Sequence, residues 1–228
     1  KNKGIDVFID AMGQLNRNNG LGKEVLAFIL VPAGHAGANK ELLHNLELPY
    51  QAVTSTDLYL THYLNDSAND PVMNRIRAQK LRNSEEDKVK IFFVPSYLNG
   101  DDGVLNMPYY DLLVGMDLTA FPSYYEPWGY TPLESLAFKV PTITTTLAGF
   151  GLWVKEHYNM NHPGIEVIHR EDGDASNVAT AIAEWVKNYT QVGETEMQKD
   201  RDNAKDVSRI ALWDNLINYY KQAYTIAL

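Results

Sequence analysis

Residues 117–138 constrain the fold of this chain most. They combine an apolar segment typical of a strand, a loop rich in aromatic residues, and the start of a helix directly after that loop. Residues 117–121 (DLTAF) are typical of a short buried strand, and Pro122 and Pro127 prevent that strand from running on. A loop rich in tyrosine, tryptophan and glycine must therefore follow. A strand that passes through a loop into a helix is the building unit of parallel α/β folds.

The helix start behind this loop predicts an anion site. Thr131 is followed by Pro132 and then by Glu134, three residues after the threonine, so the pattern predicts a capping box with Thr131 as the N-cap. The free N–H groups and the positive end of the helix dipole, roughly +0.5 charge, would point back at the loop. Gly129 would let a ligand approach the backbone closely.

Apolar segments alternate with helical patterns along the whole sequence. The periodicity predicts strands at 25–32, 89–94, 117–121, 140–145 and 165–169, and helices at 5–15, 39–48, 109–115, 131–138, 152–158 and 175–189. The region 65–87 is predicted to hold one or two exposed helices with Val72, Ile76 and Leu81 turned inward. We therefore predict an α/β fold with a doubly wound, Rossmann-like parallel sheet, a single domain over 1–228 and closing helices throughout 194–228.

Composition excludes several classes of function. A net charge of -9 argues against general binding to nucleic acid, and no apolar run approaches the ~20 residues of a membrane span. The absence of cysteine excludes disulfides, a thiol nucleophile and cysteine-ligated zinc, and is compatible with a cytoplasmic location. The chain opens with KNKGID rather than a methionine or a signal peptide, so we expect it to be a piece of a longer protein.

Neither the histidines nor the acidic pairs predict a metal site or a cofactor. The six histidines, at positions 35, 44, 62, 157, 162 and 169, lack the spacing of metal ligands, and we interpret them as structural or solvated. Asp101 with Asp102, and Asp172 with Asp174, flank glycines in sequence that is typical of turns.

Four separated blocks, in order, resemble one family. They read KNKGIDVFIDAMGQLN from residue 1, VKIFFVPSYLNGDDGVLNMPYYDLL from 89, YYEPWGYTPLES from 124 with PTITTTLAGFG from 141, and LWDNLINYYKQAY from 212. These blocks resemble the C-terminal nucleotide-binding domain of eukaryotic-type glycogen synthases, which are retaining glycosyltransferases of the GT-B fold. The resemblance implies that this chain is the C-terminal half of that fold and that an N-terminal acceptor domain is absent from it.

The resemblance assigns roles to two glutamates that lie eight residues apart. Glu126 would contact the donor sugar and help to stabilise positive charge at its anomeric carbon, and Glu134 would hydrogen-bond the ribose hydroxyls. From spacing alone, Glu134 is better explained as the capping-box glutamate, which needs no ligand, and both roles can hold at once. Glu126 is harder to explain by structure alone, because burying an unpaired carboxylate is costly.

The remaining donor-binding residues also come from the resemblance. Lys3 would offset the charge of the leaving diphosphate, together with backbone amides near Gly129, Tyr130 and Thr131, and Trp128 of the same loop is included among the substrate-binding residues. An arginine that the family places upstream of this lysine is not in the chain, so half of the diphosphate clamp would be missing. Tyr109 would stack on the uracil ring, with Tyr110 as the alternative.

The implied reaction transfers glucose from UDP-glucose to the non-reducing end of an α-1,4-glucan with retention and without a metal or other cofactor, and we expect the chain alone to be nearly inactive. Arg201 and Arg209 are interspersed with aspartates where the family has an arginine-rich helix, so we predict no strong activation by glucose 6-phosphate. A different GT-B transferase and a non-catalytic glycan-binding or regulatory module remain alternatives. The use of ADP-glucose, the acceptor and the oligomeric state stay open.

Overall fold

The computed structural model describes residues 2–18, 20–48, 59–158 and 164–228. Strands and helices alternate along these ranges, as the apolar periodicity predicts. In chain order they are α1 (Ile5–Asn16), β1 (Val25–Leu30), β2 (His35–Ala38), α2 (Lys40–Glu47), β3 (His62–Leu64), α3 (Pro71–Ala78), β4 (Val89–Val94), α4 (Tyr109–Leu113), β5 (Thr119–Ala120), α5 (Tyr130–Ala137), β6 (Thr142–Thr145), α6 (Gly149–His157), β7 (Ile165–Ile168), α7 (Ala175–Tyr189), α8 (Glu194–Arg209) and α9 (Trp213–Ala227).

The chain forms two compact units. Unit 1 comprises residues 5–112 and 175–192, and unit 2 comprises residues 2–4, 113–174 and 193–228. Each unit has its own parallel strands with helices packed on them, so the predicted α/β class is confirmed. The prediction of a single domain over 1–228 stays a prediction.

In unit 1, strands β1 and β4 pair in parallel from Val25 opposite Val89 to Leu30 opposite Val94. Helix α1 packs against α7, α3 and β4 through an apolar face that includes the fully buried Ile9. Strands β2 and β3 form a separate antiparallel pair that the periodicity did not predict, because each is only three or four residues long. Local apolar patterns of that length do not distinguish a strand from a loop.

In unit 2, strands β5, β6 and β7 form a parallel sheet in that order. A buried apolar cluster joins helices α5, α6 and α8 to β7 and is formed by Leu136, Phe150, Val154, Ile165, Val167, Ala204, Val207 and Ala211. This packing fixes α5 and α6 relative to the sheet, and the loops that enter these two helices lie at the carboxyl ends of β5 and β6. Ligands of parallel α/β sheets bind at such ends.

Several details differ from the sequence-based predictions. The strand predicted at 117–121 is shortened to β5. The closing helices predicted throughout 194–228 are present as α8 and α9, but the helical pattern is interrupted at Leu212, whose backbone is extended. In α3, Met73 is buried and Val72 is only half-buried, whereas Ile76 is buried as predicted. Leu81, which follows the helix, is also buried as predicted.

Candidate functional site

The loop that carries Glu126 is tied by its backbone to the segment between β6 and α6. The Glu126 N–H donates to the Leu147 carbonyl at 3.1 Å, and the Glu126 carbonyl accepts from the Gly149 N–H at 3.0 Å. A Cβ atom at position 149 would lie 2.2 Å from the Pro127 carbonyl oxygen, so only glycine permits this approach. The backbone position of Glu126 is therefore set by the neighbouring strand and helix of the same unit.

Trp128 anchors the loop on the core of unit 2. Its carbonyl accepts a 2.7 Å hydrogen bond from the Phe150 N–H, and its ring packs edge-on against Phe150, with ring centroids 5.7 Å apart. The Trp153 ring is also tilted against the Trp128 ring, with ring centroids 6.1 Å apart. The Trp128 side chain thus has a structural role as a half-buried anchor, and its proposed contact with a substrate stays a prediction.

The N-terminal segment of the chain runs alongside the loop. The Asn2 carbonyl accepts from the Tyr124 N–H at 2.8 Å, and the Asn2 side chain donates to the Tyr125 carbonyl at 3.2 Å. Gly4 has a φ of +71°, and a Cβ atom there would lie 1.6 Å from the Pro122 carbonyl oxygen. Glycine at this position lets the two segments lie in direct contact.

This contact brings together the two residues predicted to be catalytic. Lys3 Nζ donates a hydrogen bond to Glu126 Oε2, and the two side chains form an ion pair although 123 positions separate them. The Lys3 side chain is 64% exposed and the Glu126 side chain 23% exposed. An exposed cation and a more enclosed carboxylate therefore lie together beside the loop.

Helix α5 begins one residue earlier than predicted, and it has no capping box. Its N-cap is Gly129, with φ 101° and ψ 80°, and no side chain caps the helix. Thr131 is the second helical residue, so the prediction of Thr131 as the N-cap was wrong. The left-handed backbone of Gly129 turns the chain into the helix before Thr131 is reached. Pro132 is still tolerated, because the first N–H groups of a helix have no intrahelical acceptor.

Consequently the start of α5 is open. No described residue accepts a hydrogen bond from the backbone N–H of Gly129, Tyr130 or Thr131. Tyr130 and Thr131 are exposed, and both directly follow the loop that carries Glu126. Unpaired N–H groups at a helix N-terminus, together with the helix dipole, favour an anion.

Glu134 lies half-buried in the second turn of α5. Because the helix starts at Tyr130, Glu134 cannot serve as the N3 residue of a capping box, and no hydrogen bond of its side chain to a described residue is present. The capping-box explanation of this glutamate is therefore removed, and its carboxylate has no hydrogen-bond partner among the described residues.

Tyr109 and Tyr110 begin helix α4, in unit 1. The Tyr109 N–H donates to the Leu98 carbonyl at 3.0 Å, and the two tyrosine rings lie with centroids 5.2 Å apart. Tyr109 is half-buried and Tyr110 is 45% exposed. The role of Tyr109 in base stacking stays a prediction.

Sequence reasoning missed one residue of this region, Arg170. It follows β7, is 2% exposed, and its Nη1 donates to the Pro122 carbonyl at 2.6 Å. The only signal in the sequence is an arginine just after a buried strand, at the carboxyl end where sheets of this class bind ligands.

Two carboxyl groups of unit 2 have perturbed acidity. Burial raises the pKa of Glu166, which Lys155 offsets in part, and burial together with the nearby charge of Glu196 raises the pKa of Asp200. Over the described ranges, no group of three or more histidine and acidic side chains could hold a metal ion, and no helix is long and apolar enough to cross a membrane.

The chain matches the family model described as Glycogen synthase over residues 51–228. Glycogen (starch) synthase isoform 2 of Saccharomyces cerevisiae is 28% identical, in an alignment that covers 100% of this chain and 41% of the yeast protein. The Neurospora crassa glycogen (starch) synthase is also 28% identical, over 100% of this chain and 40% of its own length. The Caenorhabditis elegans glycogen (starch) synthase is 35% identical over 71% of this chain and 24% of its own length. This chain thus spans about two fifths of the length of its yeast and fungal relatives.

Among solved structures, HepE of Anabaena in complex with UDP is similar with a TM-score of 0.43 and 16% identity, over 98% of this chain and 55% of HepE. The glycosyltransferase WaaG of lipopolysaccharide biosynthesis gives a TM-score of 0.32 at 16% identity, over 86% of this chain and 50% of WaaG. Both scores are low, so the fold assignment above depends on the strands and helices of this chain.

Proposed function

This chain belongs to the glycogen synthase family, and on that premise we propose that it supplies the donor half-site of a retaining glycosyltransferase. The whole enzyme would transfer glucose from UDP-glucose to the non-reducing end of an α-1,4-glucan. A preceding domain would supply the acceptor side, and we propose a cytoplasmic location, with which the lack of cysteine is compatible. The chain by itself would be nearly inactive.

One observation carries the proposal: the open start of α5 adjoins the loop on which Lys3 and Glu126 meet. The N–H groups of Tyr130 and Thr131 would bind the diphosphate of the donor, as helix N-termini bind phosphates in other nucleotide sites. Preorganised donors of this kind also stabilise negative charge that develops on the leaving diphosphate in the transition state.

Lys3 is suited to exchange its partner Glu126 for the diphosphate of the donor. Its pair with Glu126 is exposed on the lysine side, and exposed ion pairs contribute only about 0–1 kcal/mol. The ammonium group of Lys3 can therefore pair with a doubly charged ligand instead, at a small cost in free energy. This exchange leaves the Glu126 carboxylate unpaired beside the sugar. We propose that this exchange of partners accompanies donor binding.

Glu126 would then face the anomeric carbon of the donor. A carboxylate there orients the sugar and lowers the free energy of a transition state with positive charge on that carbon, because the attraction is stronger away from bulk water. The hydrogen bonds of its backbone to Leu147 and Gly149 keep the position of Glu126 fixed during the reaction. Glu134 would bind the ribose hydroxyls, and Tyr109 would stack on the base.

The structure gives a physical reason to expect no strong activation by glucose 6-phosphate. Arg201 donates to the Met116 carbonyl and to Asp117 Oδ1, each at 3.0 Å, and Arg209 pairs with Asp206 at 3.0 Å. These two arginines of α8 are engaged within their own unit rather than forming a cationic face. An increase of activity with glucose 6-phosphate in the whole enzyme would contradict this.

The test is Glu126→Gln in the whole enzyme that contains this chain, with transfer from UDP-glucose to glycogen as the assay. We expect kcat to fall about 10²–10³-fold, as for removal of one preorganised charged group, with UDP-glucose still bound. Glu171→Gln is the matched control, because Glu171 is an exposed glutamate of the same unit whose side chain pairs, among the described residues, only with His169. Unchanged kcat in Glu126→Gln would contradict the proposed role.

A further inference from the structure

Arg170 is a buried cation without an acidic partner. It is 2% exposed, none of the ion pairs among the described residues includes it, and its Nε has no hydrogen-bond partner there. A buried charge is costly unless it is paired, and a guanidinium keeps its charge inside proteins. A side chain with this cost requires an explanation other than stability.

The hydrogen bond and the ring contact of the Arg170 side chain both involve the loop that leads to Glu126. Nη1 donates to the Pro122 carbonyl at 2.6 Å, and the guanidinium carbon lies 3.8 Å from the centre of the Tyr124 ring. The flat guanidinium can stack on the ring and donate from its edge at the same time, which a lysine cannot do. Arg170 therefore holds the loop two and four residues before Glu126.

The backbone of Arg170 is itself fixed to the sheet of unit 2. Its N–H donates to Thr146 Oγ1 at 2.9 Å, and its carbonyl accepts from the same hydroxyl at 3.3 Å. Thr145 supports the loop from the same end of β6, because its hydroxyl donates to the Ser123 carbonyl at 3.3 Å. The ends of β6 and β7 thus hold consecutive carbonyls of the loop.

The same stretch of loop also positions Lys3. The Tyr124 N–H donates to the Asn2 carbonyl, and the Pro122 carbonyl lies against Gly4, on the two sides of Lys3. Release of Pro122 and Tyr124 would therefore disturb both members of the Lys3–Glu126 pair. A displacement of about 1 Å in a catalytic group can cost about 10²-fold in rate.

We propose that Arg170 is the positioning residue of the loop that carries Glu126. Its buried guanidinium holds the Pro122 carbonyl and the Tyr124 ring, and thereby fixes the positions of Glu126 and Lys3 relative to each other. Arg170 does not touch the substrate. This inference rests on the proposed function for the claim that the loop is catalytic, but the clamp itself is a property of this chain.

The first measurement is amide hydrogen exchange in this chain, which does not depend on catalysis. Arg170→Met should speed exchange at the N–H groups of Tyr124 and Glu126 by at least about tenfold, as expected for loss of a hydrogen bond to a charged group. Arg170→Lys should give an intermediate rate, because it can still donate to Pro122. Arg201→Lys is the matched control, since Arg201 also donates to backbone carbonyls of unit 2 but away from the loop.

The second measurement is steady-state kinetics of the whole enzyme. Arg170→Met should lower kcat about 10–100-fold and leave KM for UDP-glucose within about twofold, with Arg170→Lys between the two. In a Tyr124→Leu background the effect of Arg170→Lys should shrink, because the stacking partner is already gone.

Exchange that is unchanged at Tyr124 and Glu126, or equally raised by Arg201→Lys, would overturn the clamp whatever the enzyme does. Faster exchange with unchanged kcat, in an enzyme that Glu126→Gln inactivates, would overturn the positioning role and leave the proposed function intact. Full activity of Glu126→Gln would instead contradict the proposed function, and the exchange data would still decide the clamp.

Discussion

Helices of the two units begin in different ways. In unit 1, the Asn39 side chain accepts hydrogen bonds from the first turn of α2, and Asp70 accepts the Met73 N–H at the start of α3, at 2.9 Å. In unit 2, the N-caps of α5 and α8 are Gly129 and Gly193, and neither provides a side chain. At a closed helix start, the side chain of the N-cap residue accepts hydrogen bonds from the first N–H groups, which are then satisfied within the chain. At an open helix start no side chain does so, and these N–H groups can bind an anion.

Two carboxylates, Asp102 of unit 1 and Asp200 of unit 2, also differ in whether hydrogen bonds satisfy them. Burial tends to raise the pKa of Asp102 in unit 1, but hydrogen bonds from the N–H groups of Leu105, Val104 and Asn106 outweigh burial and lower it. In unit 2, burial raises the pKa of Asp200, whose Oδ1 has no partner among the described residues. Asp102 of unit 1 is thus paired with backbone donors, whereas Asp200 of unit 2 has a buried oxygen without a partner among the described residues.

The largest effect should come from Gly129→Ala, which tests whether the open start depends on glycine. Alanine costs roughly 1–2 kcal/mol in left-handed backbone, and its Cβ would meet Pro132 Cγ at 3.3 Å. We expect a loss of that size in the free energy of unfolding, measured with urea, together with weaker UDP binding. Gly193→Ala is the control, because it is also an N-cap glycine but has φ -79° and no atom within 4 Å of a Cβ. Equal losses in both variants would contradict this account.

The next largest effect is expected for Asp70→Ala, which removes the side chain that closes the start of α3. Loss of an N-cap side chain costs about 1 kcal/mol, so the midpoint of urea unfolding should fall. Calorimetric titration should show UDP binding unchanged, because α3 contributes no group to the proposed site. A variant that lost UDP affinity without losing stability would reverse the roles of the two kinds of helix start.

A smaller effect concerns pH. The folded-state pKa of Asp200 is raised, so the folded state retains this proton after the unfolded chain has lost it, near pH 4. Stability must therefore fall as pH rises through this window, and Asp200→Asn should remove that part of the slope. Urea unfolding from pH 3.5 to 7 measures it.

Asp202→Asn is the control for the pH series. Hydrogen bonds from Lys139 and Gln198 lower the pKa of Asp202, so its contribution has the opposite sign and is lost as pH falls. Changes in slope of the same sign in both variants, each measured against the unsubstituted chain, would show that burial does not govern the pKa of Asp200.

The smallest effect is expected for Thr131→Ala. A capping threonine would cost about 1 kcal/mol when replaced, but a threonine inside the helix that caps nothing should change the free energy of unfolding by less than about 0.5 kcal/mol. Thermal unfolding monitored by circular dichroism provides the measurement. A loss near 1 kcal/mol would restore the capping box that the sequence predicted.

These comparisons show what could be predicted from the sequence. The alternation of strands and helices was predictable, because apolar periodicity is local and the packing of both units follows it. The start of α5 was not, because T-x-x-E fits a capping box equally well whether or not the chain has already turned at Gly129. Local patterns do not show which of two adjacent helix starts the tertiary structure selects.

The site itself was predictable only in part. Glu126 and Lys3 came from a family resemblance, and their ion pair joins positions 123 residues apart, which no local pattern encodes. Arg170 had no pattern at all, since its importance comes from burial and from contacts with Pro122 and Tyr124 across 46 to 48 positions. Residues of this kind are found through contacts rather than through motifs.

The central claim is that the open start of α5 binds the diphosphate of the donor, and nuclear magnetic resonance of the ¹⁵N-labelled chain tests it most directly. We predict that titration with UDP shifts the amide signals of Tyr130 and Thr131, that uridine without the diphosphate leaves them in place, and that the signals of Leu42 and Met73 at the closed starts of unit 1 do not move. Shifts at the closed starts instead, equal shifts with uridine, or no shift at Tyr130 and Thr131 at saturating UDP would contradict the account.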